Sequence, residues 1–409
     1  MKRRIAVIGG GAAGMMAAIT AGGMGAAVTL YESNDRVGKK LLSTGNGKCN
    51  FSNIDLQPAH YFSRDIQAAW AILQQFDNQA ACNFFHEAGL MTKEKRGGLY
   101  PAAEQASVVL DILRLQLEKK SVEVRTESKV QKLRTLSDGS VEVVTGKSRE
   151  KYDRVILACG SKAAPKTGSD GNGYVLAESM GHSLVSVVPA LVQLKCGDTQ
   201  LKSVAGVRAE AEVALVIDEK EAARERGELQ LTDYGISGIV VFQLSRTAAY
   251  ALLDKKHVMA YINFLPEYSE EDYRKWTEDR KASLNDAKTV EEFFTGMLNK
   301  KLMLLFMKLA GLKPTDSYKK ASKRSIDQVF AFCRRFPLAI TGGNSFEHAQ
   351  VCAGGVPLCE VTADLESTKH KGIYFAGELL DVDGKCGGYN LQWAWASGYV
   401  AGKSAANNP

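Results

Sequence analysis

The sequence predicts an α/β fold: a Rossmann-like nucleotide-binding domain interrupted by an insert that is first β and then helical. Three observations predict it. Residues 4–32 read as strand, glycine turn, helix, strand and acid. From Leu191 to about Arg334 the pattern changes to β alternation and then to charged helix. From about 335 the chain returns to short apolar strands and glycine turns that open helices. At 409 residues the chain exceeds one ordinary domain. The expected division is 1–190 with 335–409 for the nucleotide domain, 191–266 for the β part and 267–334 for the helical part.

Arg4 to Ile8 is a short apolar run of the buried-strand kind. Gly9, Gly11 and Gly14 follow at G-x-G-x-x-G spacing, and Ala12 to Ala21 favours helix. Ala27 to Tyr31 is a second apolar run, closed by Glu32. Each part has a physical task in dinucleotide binding. Gly9 permits the sharp turn, Gly11 lets a pyrophosphate lie against bare backbone, and Gly14 lets helix and strand pack closely. The helix start at Ala12 and Ala13 offers free N–H groups and a partial positive charge. Glu32 is placed to accept both ribose hydroxyls and repels a 2′-phosphate, which argues against NADP here. The basic, then apolar, N-terminus also resembles a secretion signal. The glycines would break that apolar helix, and a signal needs no acid at its end.

The apolar share of 45% suits a globular protein with ample core. The formal charge of +6 comes from 52 basic and 46 acidic residues, read as interspersed. That suggests no nucleic-acid partner, while a mild basic skew suits an anionic cofactor. No apolar run reaches membrane-spanning length, so no membrane partner is expected. The eight cysteines form no C-x-x-C pair, which points to reduced thiols and a cytoplasmic location. The six histidines show no metal-ligand spacing, so no metal site is expected.

Residues 33–53 are rich in Gly, Ser, Asn and Lys and read as a loop whose N–H groups and cations surround a flat anionic ligand. The alternative is a solvated surface loop. Only Cys49 lies in it, which disfavours a disulfide-reducing flavoenzyme. Ile66 to Ala88 has helical periodicity, Gly97 to Pro101 reads as a break, and Ser107 to Lys119 is an amphipathic helix. Val122 to Val144 alternates as strands, and Val130 falls where a returning strand would reach an adenine. Arg154 to Ala158 is another buried-type strand. Ala158, Cys159 and Gly160 end it as a second close approach of backbone to a dinucleotide. Thr167 to Tyr174 is a glycine-rich loop opening a helix to about Met180; a plain strand–turn–helix is its other reading. In the insert, Phe293, Phe294, Leu302, Leu305 and Phe306 recur at helical spacing and read as core. Leu338–Gly343, Val351–Val361 and Gly372–Phe375 read as strands of the nucleotide domain. Gly377 and Glu378 end the last of these. Gly387 and Gly388 lead into a helix from Tyr389 to about Ala401. Its dipole suits negative charge at the pyrimidine end of a reduced flavin, and Asp381 is placed for a ribityl hydroxyl.

Four stretches carry a family resemblance: G-G-G-A-A-G-M-M-A-A, G-K-K-L-L-S-T-G-N-G-K-C-N, G-E-L-Q-L-T-D-Y-G-I-S-G and Y-F-A-G-E-L-L-D-V-D-G-K-C-G-G-Y-N-L-Q. The chain resembles the two-dinucleotide-binding-domain flavoproteins. Within them it is similar to the bacterial family that includes aminoacetone oxidase and a flavin-dependent bile-acid reductase. The resemblance implies a glutathione-reductase-like FAD domain built from both termini, with an inserted β-barrel-like domain and a small helical domain. It implies tightly held, non-covalent FAD. By position, Gly9 to Gly14 would hold the pyrophosphate, and Glu32 with Ser33 the adenosine ribose. Lys39, Lys40 and Leu41, with Thr44, Gly45, Asn46, Cys49 and Asn50, would line the flavin. Val130 would touch adenine. Gly377, Glu378 and Asp381 would hold ribityl and phosphate, and Gly388, Tyr389, Asn390 and Leu391 would face the pyrimidine end. Two departures bear on substrate choice: Lys48 stands where the family usually has Arg, and Asp233 where it often has His.

The expected function is an FAD-dependent oxidoreductase passing hydride between a small organic substrate and flavin N5. With one G-x-G-x-x-G, NAD(P)H would serve only as a transient reductant docked at the flavin. Two alternatives stand beside it: an NAD(P)H-dependent ene-reductase of a steroid-like or other enone, and an FAD-binding RNA-modification or regulatory protein. Candidates for proton supply or carbonyl binding are Tyr234 and Ser237 in the insert and Lys48 and Tyr389 from the flavin side, each weighed against a structural role.

Overall fold

A computed structural model describes residues 2–407. The chain forms two compact units: one runs to Pro189 and resumes at Phe346, and the other is Ala190–Ser345.

The first unit is built on a five-stranded parallel sheet. Its order is Ile373–Phe375, Arg154–Leu157, Arg4–Ile8, Ala27–Tyr31, Glu123–Arg125. Ile5, Ala6, Val7 and Ile8 are all buried, as expected of a parallel strand covered on both faces. From Arg4–Ile8 the chain crosses through helix Ala12–Gly23 to Ala27–Tyr31 on one side, while Arg154–Leu157 docks on the other. The strand order therefore reverses beside the glycine turn, which is where open α/β sheets leave a crevice at their carboxyl ends. Helix Tyr389–Asn407 packs on helix Ala12–Gly23 through glycines. A Cβ at Gly398 would stand 2.4 Å from the Ala13 carbonyl oxygen, and one at Gly402 would stand 2.5 Å from that of Ala17.

Two local expectations are corrected here. The helical stretch 66–88 is two helices, Ile66–Leu73 and Asn78–Glu87. Asp65 and Asp77 cap them by accepting from Ala68 N and Ala80 N at 3.0 and 2.8 Å. The supposed break at 97–101 contains a strand, Gly98–Pro101, between Ser52–Asn53 and Thr92–Lys95. Pro101 ends that strand, where its missing N–H costs little.

The second unit is a closed six-stranded barrel in the order Leu194–Cys196, Gly235–Ser237, Lys220–Leu231, Arg208–Ile217, Val258–Asn263, Phe336–Gly343. The last strand was expected in the nucleotide domain, which was to resume at 335. Instead it closes the barrel by pairing with Val258–Asn263 and Leu194–Cys196. Phe336, Leu338 and Ile340 alternate inward and are buried, so this strand belongs to the barrel core. The apolar run after Gly238 is a helix, Ile239–Leu253. Helices Glu270–Ser283, Val290–Phe294, Lys300–Leu309 and Lys323–Arg334 follow. Phe293, Phe294, Leu302, Leu305 and Phe306 are buried in one core with the barrel strands. Among the described residues, no helix is long and apolar enough to cross a membrane.

Candidate functional site

The site lies in the first unit, outside the carboxyl ends of the parallel strands. Ile8 to Ala13, Glu32, Ser33, Ala158 to Gly160 and Thr167 to Asp170 all line one crevice there. It holds about 1160 Å³ of empty space, open solvent included.

The glycines divide their tasks as geometry demands. Gly9 has φ +108°, and a Cβ there would stand 2.4 Å from the Ala158 carbonyl oxygen. A Cβ at Gly14 would stand 1.8 Å from the Gly9 carbonyl oxygen. At Gly11 the same Cβ would meet no protein atom within 4 Å. Packing therefore requires glycine at 9 and 14 but not at 11, whose bare backbone faces the crevice at the start of helix Ala12–Gly23. That helix has no side-chain cap and no acid in its first turn, so its N–H groups remain available to an anion.

Glu32 is buried and held on every side. Its Oε2 accepts from Gly10 N at 2.9 Å. Its Oε1 accepts from Asn34 N and Asn34 Nδ2 at 2.7 Å each, and from Ser33 Oγ at 3.2 Å. Oε1 is saturated, and Oε2 keeps one lone pair. The expectation that Glu32 serves two ribose hydroxyls thus narrows to one bond at Oε2. Ser128 N donates to the Glu32 carbonyl at 2.8 Å, which draws Ser128, Lys129 and Val130 to the same crevice. Val130 is buried, and its carbonyl accepts from Asn172 Nδ2 at 3.0 Å.

The crevice also gathers Lys39, Lys40, Leu41, Thr44, Gly377, Glu378, Asn390 and Leu391. Lys40 Nζ lies 2.7 Å from Glu378 Oε2, and Cys352 N donates to Glu378 Oε1 at 3.1 Å. Asn390 spends its amide on the backbone of Gly384, which leaves its side chain as a brace for the turn before helix Tyr389–Asn407. Burial pushes the Cys159 thiol up to about 12, so it stays protonated and inert at neutral pH.

Other expected residues do not line the crevice. Gly45, Asn46, Cys49 and Asn50 form the turn behind Thr44. Cys49 is fully buried, with its thiol pushed up to about 12 by that burial. Asn50 Oδ1 is buried with no hydrogen-bond partner among the described residues. Asp381 is buried and accepts from Arg64 N at 3.1 Å. A Cβ on Gly388 would stand 2.4 Å from the Ser52 carbonyl oxygen, so this glycine serves packing. Tyr389 is buried against His60 and Tyr61, and burial raises its hydroxyl to about 12. Lys48 reaches Glu104 at 2.9 Å, and hydrogen bonds from Lys93 and Lys48 hold that carboxyl at about 2. Tyr234 and Ser237 belong to the second unit. Tyr234 OH accepts from Asn344 Nδ2 at 3.2 Å, and Ser237 is buried in the barrel.

Sequence reasoning gave no site role to Gln350, Val351 or Ala394, which line the crevice, and did not single out Asn34 within the loop 33–53. Asn34 carried a signal: an Asx residue two positions after the acid, where its side chain bonds backward.

Comparison with known proteins agrees with this architecture. Residues 3–404 match the family model described as the HI0933-like protein Rossmann domain. The 3-dehydro-bile acid delta(4,6)-reductase of Clostridium scindens is 43% identical over 99% of this chain and 100% of its own. The ribosomal RNA dihydrouridine synthase of Haemophilus influenzae is 27% identical over 97% of each chain. That of Escherichia coli is 28% identical over 96% of each. The bare backbone at Gly11, the uncapped helix start and the fixed Glu32 carboxylate fit a dinucleotide. The chain belongs to the HI0933-like Rossmann family, and it is an FAD-dependent oxidoreductase.

Proposed function

We propose that this flavoenzyme reduces a carbon–carbon double bond conjugated to a carbonyl group, with NAD(P)H as transient reductant. The observation that carries this reading is the 43% identity, along the whole of both chains, with a reductase of such a bond. The more distant relatives fit the same chemistry. Dihydrouridine is uridine whose C5=C6 bond, conjugated to C4=O, has been saturated. A steroid-like enone is therefore the first substrate reading, and a uracil base in RNA the second.

Bound FAD supplies hydride transfer at its N5. The chain's residues hold and orient it. The N–H groups opened at Gly11 to Ala13 would take the pyrophosphate. Glu32 Oε2 would take a ribose hydroxyl, Val130 would meet the adenine, and Ala158 to Gly160 line the same crevice. Lys40, Leu41, Thr44 and Leu391 line the crevice too and would hold the isoalloxazine. Lys40 is already paired with Glu378, so the pair would add no net charge to a flavin held there.

The test is anaerobic. The yellow protein is titrated with NADH and NADPH until its visible flavin band bleaches, and then a 3-oxo-4-ene steroid or uracil-containing RNA is added. Recovery of the band with saturation of the added double bond supports the reading. A reduced protein that neither class reoxidises, but oxygen does at once, would replace it with an oxidase of small amines or ketones.

A further inference from the structure

We propose that the loop end of the helix pair Lys300–Leu309 and Lys323–Arg334 is a docking surface for RNA. The observation is where the charge lies. Residues 296–335 hold ten Lys and Arg against two acids, Asp316 and Asp327. The remainder of the chain carries 42 basic and 44 acidic residues. The whole positive excess of the protein therefore resides in these forty residues. The expectation of interspersed charge fails on this point, and the exclusion of a nucleic-acid partner drawn from it loses that support.

The structure sorts these cations. Arg334 donates to the Leu265 and Tyr268 carbonyls, and Arg335 lies over the Tyr261 ring, so both are engaged within the unit. Lys300 pairs with Glu291 at 2.8 Å. Lys301 is exposed at the opposite end of the first helix. Lys308, Lys313, Lys319, Lys320, Lys323 and Arg324 are exposed and have no ion pair among the described residues. They fall on the last turn of one helix, the first turn of the next and the loop 310–322 between them.

That loop is a built surface. Val290 N donates to the Asp316 carbonyl at 2.9 Å and Glu291 N to that of Pro314 at 3.0 Å. The Tyr318 ring stacks on Phe293, with centroids 4.1 Å apart. Lys323 and Arg324 also occupy the first turn of a helix, where cations oppose the dipole, and Ser322 makes no capping bond. Helix Glu270–Ser283 of the same unit has the stabilising arrangement, with a Ser269 cap and Glu270, Glu271 and Asp272 in its first turn. The unfavourable arrangement is retained only where the unit is most basic, as expected of a site kept for binding rather than stability.

A phosphodiester chain is the polyanion that matches. The apolar residues of both helices, among them Leu302, Phe306, Val329 and Phe330, are spent on the core. No apolar face is left to enter a lipid surface, so a membrane would be met by charge alone. The choice of RNA rests on the uracil reading of the proposed reaction.

The experiment measures retention of the FAD-loaded, full-length protein on protein-free ribosomal RNA across a salt series. The comparison is the variant Lys319→Gln/Lys320→Gln/Lys323→Gln/Arg324→Gln, with its flavin spectrum and melting as controls. Wild-type binding is expected to weaken steeply with salt. The variant's log–log slope is expected to be shallower by about 3, at ~0.7–0.9 per phosphate contact. Lys319→Arg/Lys320→Arg/Lys323→Arg is expected to bind as wild type. If the quadruple variant loses its fold, Lys319→Gln/Lys320→Gln takes its place, with a slope change of about 1.5. No retention at low salt, an unchanged slope, or retention on phosphatidylserine vesicles but not on RNA would overturn the proposal. Binding is read without turnover, so the two proposals fail separately. A protein that reduces enones and ignores RNA loses this surface alone. One that binds RNA through these lysines and reduces nothing loses the reaction alone.

Discussion

The backbone N–H of Gly10 donates to Glu32 Oε2 at 2.9 Å. The glycine turn and the acid at the end of the next strand are thereby one structure, oriented before any ligand arrives. Such preorganisation lowers the ordering cost of binding.

Glu32→Ala removes that acceptor and leaves the Gly10 and Asn34 N–H groups without it, each worth about 1–3 kcal/mol when buried and unpaired. FAD affinity is expected to fall at least about tenfold, the equivalent of ~1.4 kcal/mol. The ratio of flavin to protein absorbance in the purified variant reads this directly. A variant that purifies fully yellow and binds FAD as before refutes the ribose assignment.

Gly11 and Gly14 separate binding from folding. Gly11→Ala puts a methyl group into the crevice and touches no protein atom. It is expected to melt like the apo wild type while retaining little FAD. Gly14→Ala drives a methyl group against the Gly9 carbonyl. It is expected to cost about 3 kcal/mol or more, since a backbone atom must move. Thermal melts of both variants with and without added FAD check the contrast. Equal loss of stability in the two would show that Gly11 is also a packing glycine.

Much of the first unit was legible because its evidence is local. Strand, turn, helix and acid follow within Arg4–Glu32, and each residue's role is set by neighbours close in sequence. The boundary at 345 was not legible. Phe336–Gly343 has the apolar alternation of any strand, and only its pairing with Val258–Asn263 and with Leu194–Cys196, both far away in sequence, assigns it to the barrel. Tyr389 and Lys48 do not line the crevice, for a related reason. A tyrosine at a helix start and a lysine in a glycine loop look available, but long-range packing on His60 and pairing with Glu104 engage them. Asn50 was expected at the flavin, and its Oδ1 is buried with no hydrogen-bond partner among the described residues.

The cysteines are expected to play no redox part. Burial pushes the Cys49 and Cys333 thiols up to about 12 and Cys352 to about 11, while Cys359 is exposed. Thiolate is the reactive form. Titration of the native protein with a disulfide reagent near neutral pH is expected to show Cys359 reacting fast and these three only after denaturation. Cys49→Ser/Cys386→Ser is expected to keep full turnover; loss of turnover with FAD retained would restore a thiol to the mechanism.

His182 predicts how the first unit responds to acid. Its ring is buried, with Nδ1 2.9 Å from Glu360 Oε2 and Nε2 2.8 Å from Ser367 Oγ. Ser367 Oγ already accepts from Lys369 N and His370 N, so its own proton points to Nε2. Nε2 must therefore be an acceptor, and Nδ1–H donates to Glu360: the geometry requires neutral imidazole. Burial lowers the His182 pKa below the ordinary value of about 6.5. A depressed folded pKa means the unfolded chain takes the proton first. The contribution is thus complete above pH ~6.5 and is lost as pH falls through the folded value. Glu360 is held at about 2, chiefly by hydrogen bonds from Ser183 and Lys369 acting against its burial, so it stays ionised through that range. Urea midpoints are expected to drop from pH 7 to pH 5 in the wild type. His182→Gln, which cannot take up a proton, is expected to flatten that drop while starting from a lower midpoint. A wild-type midpoint that does not move between pH 7 and 5 would mean that His182 is not the neutral donor to Glu360 that its contacts describe.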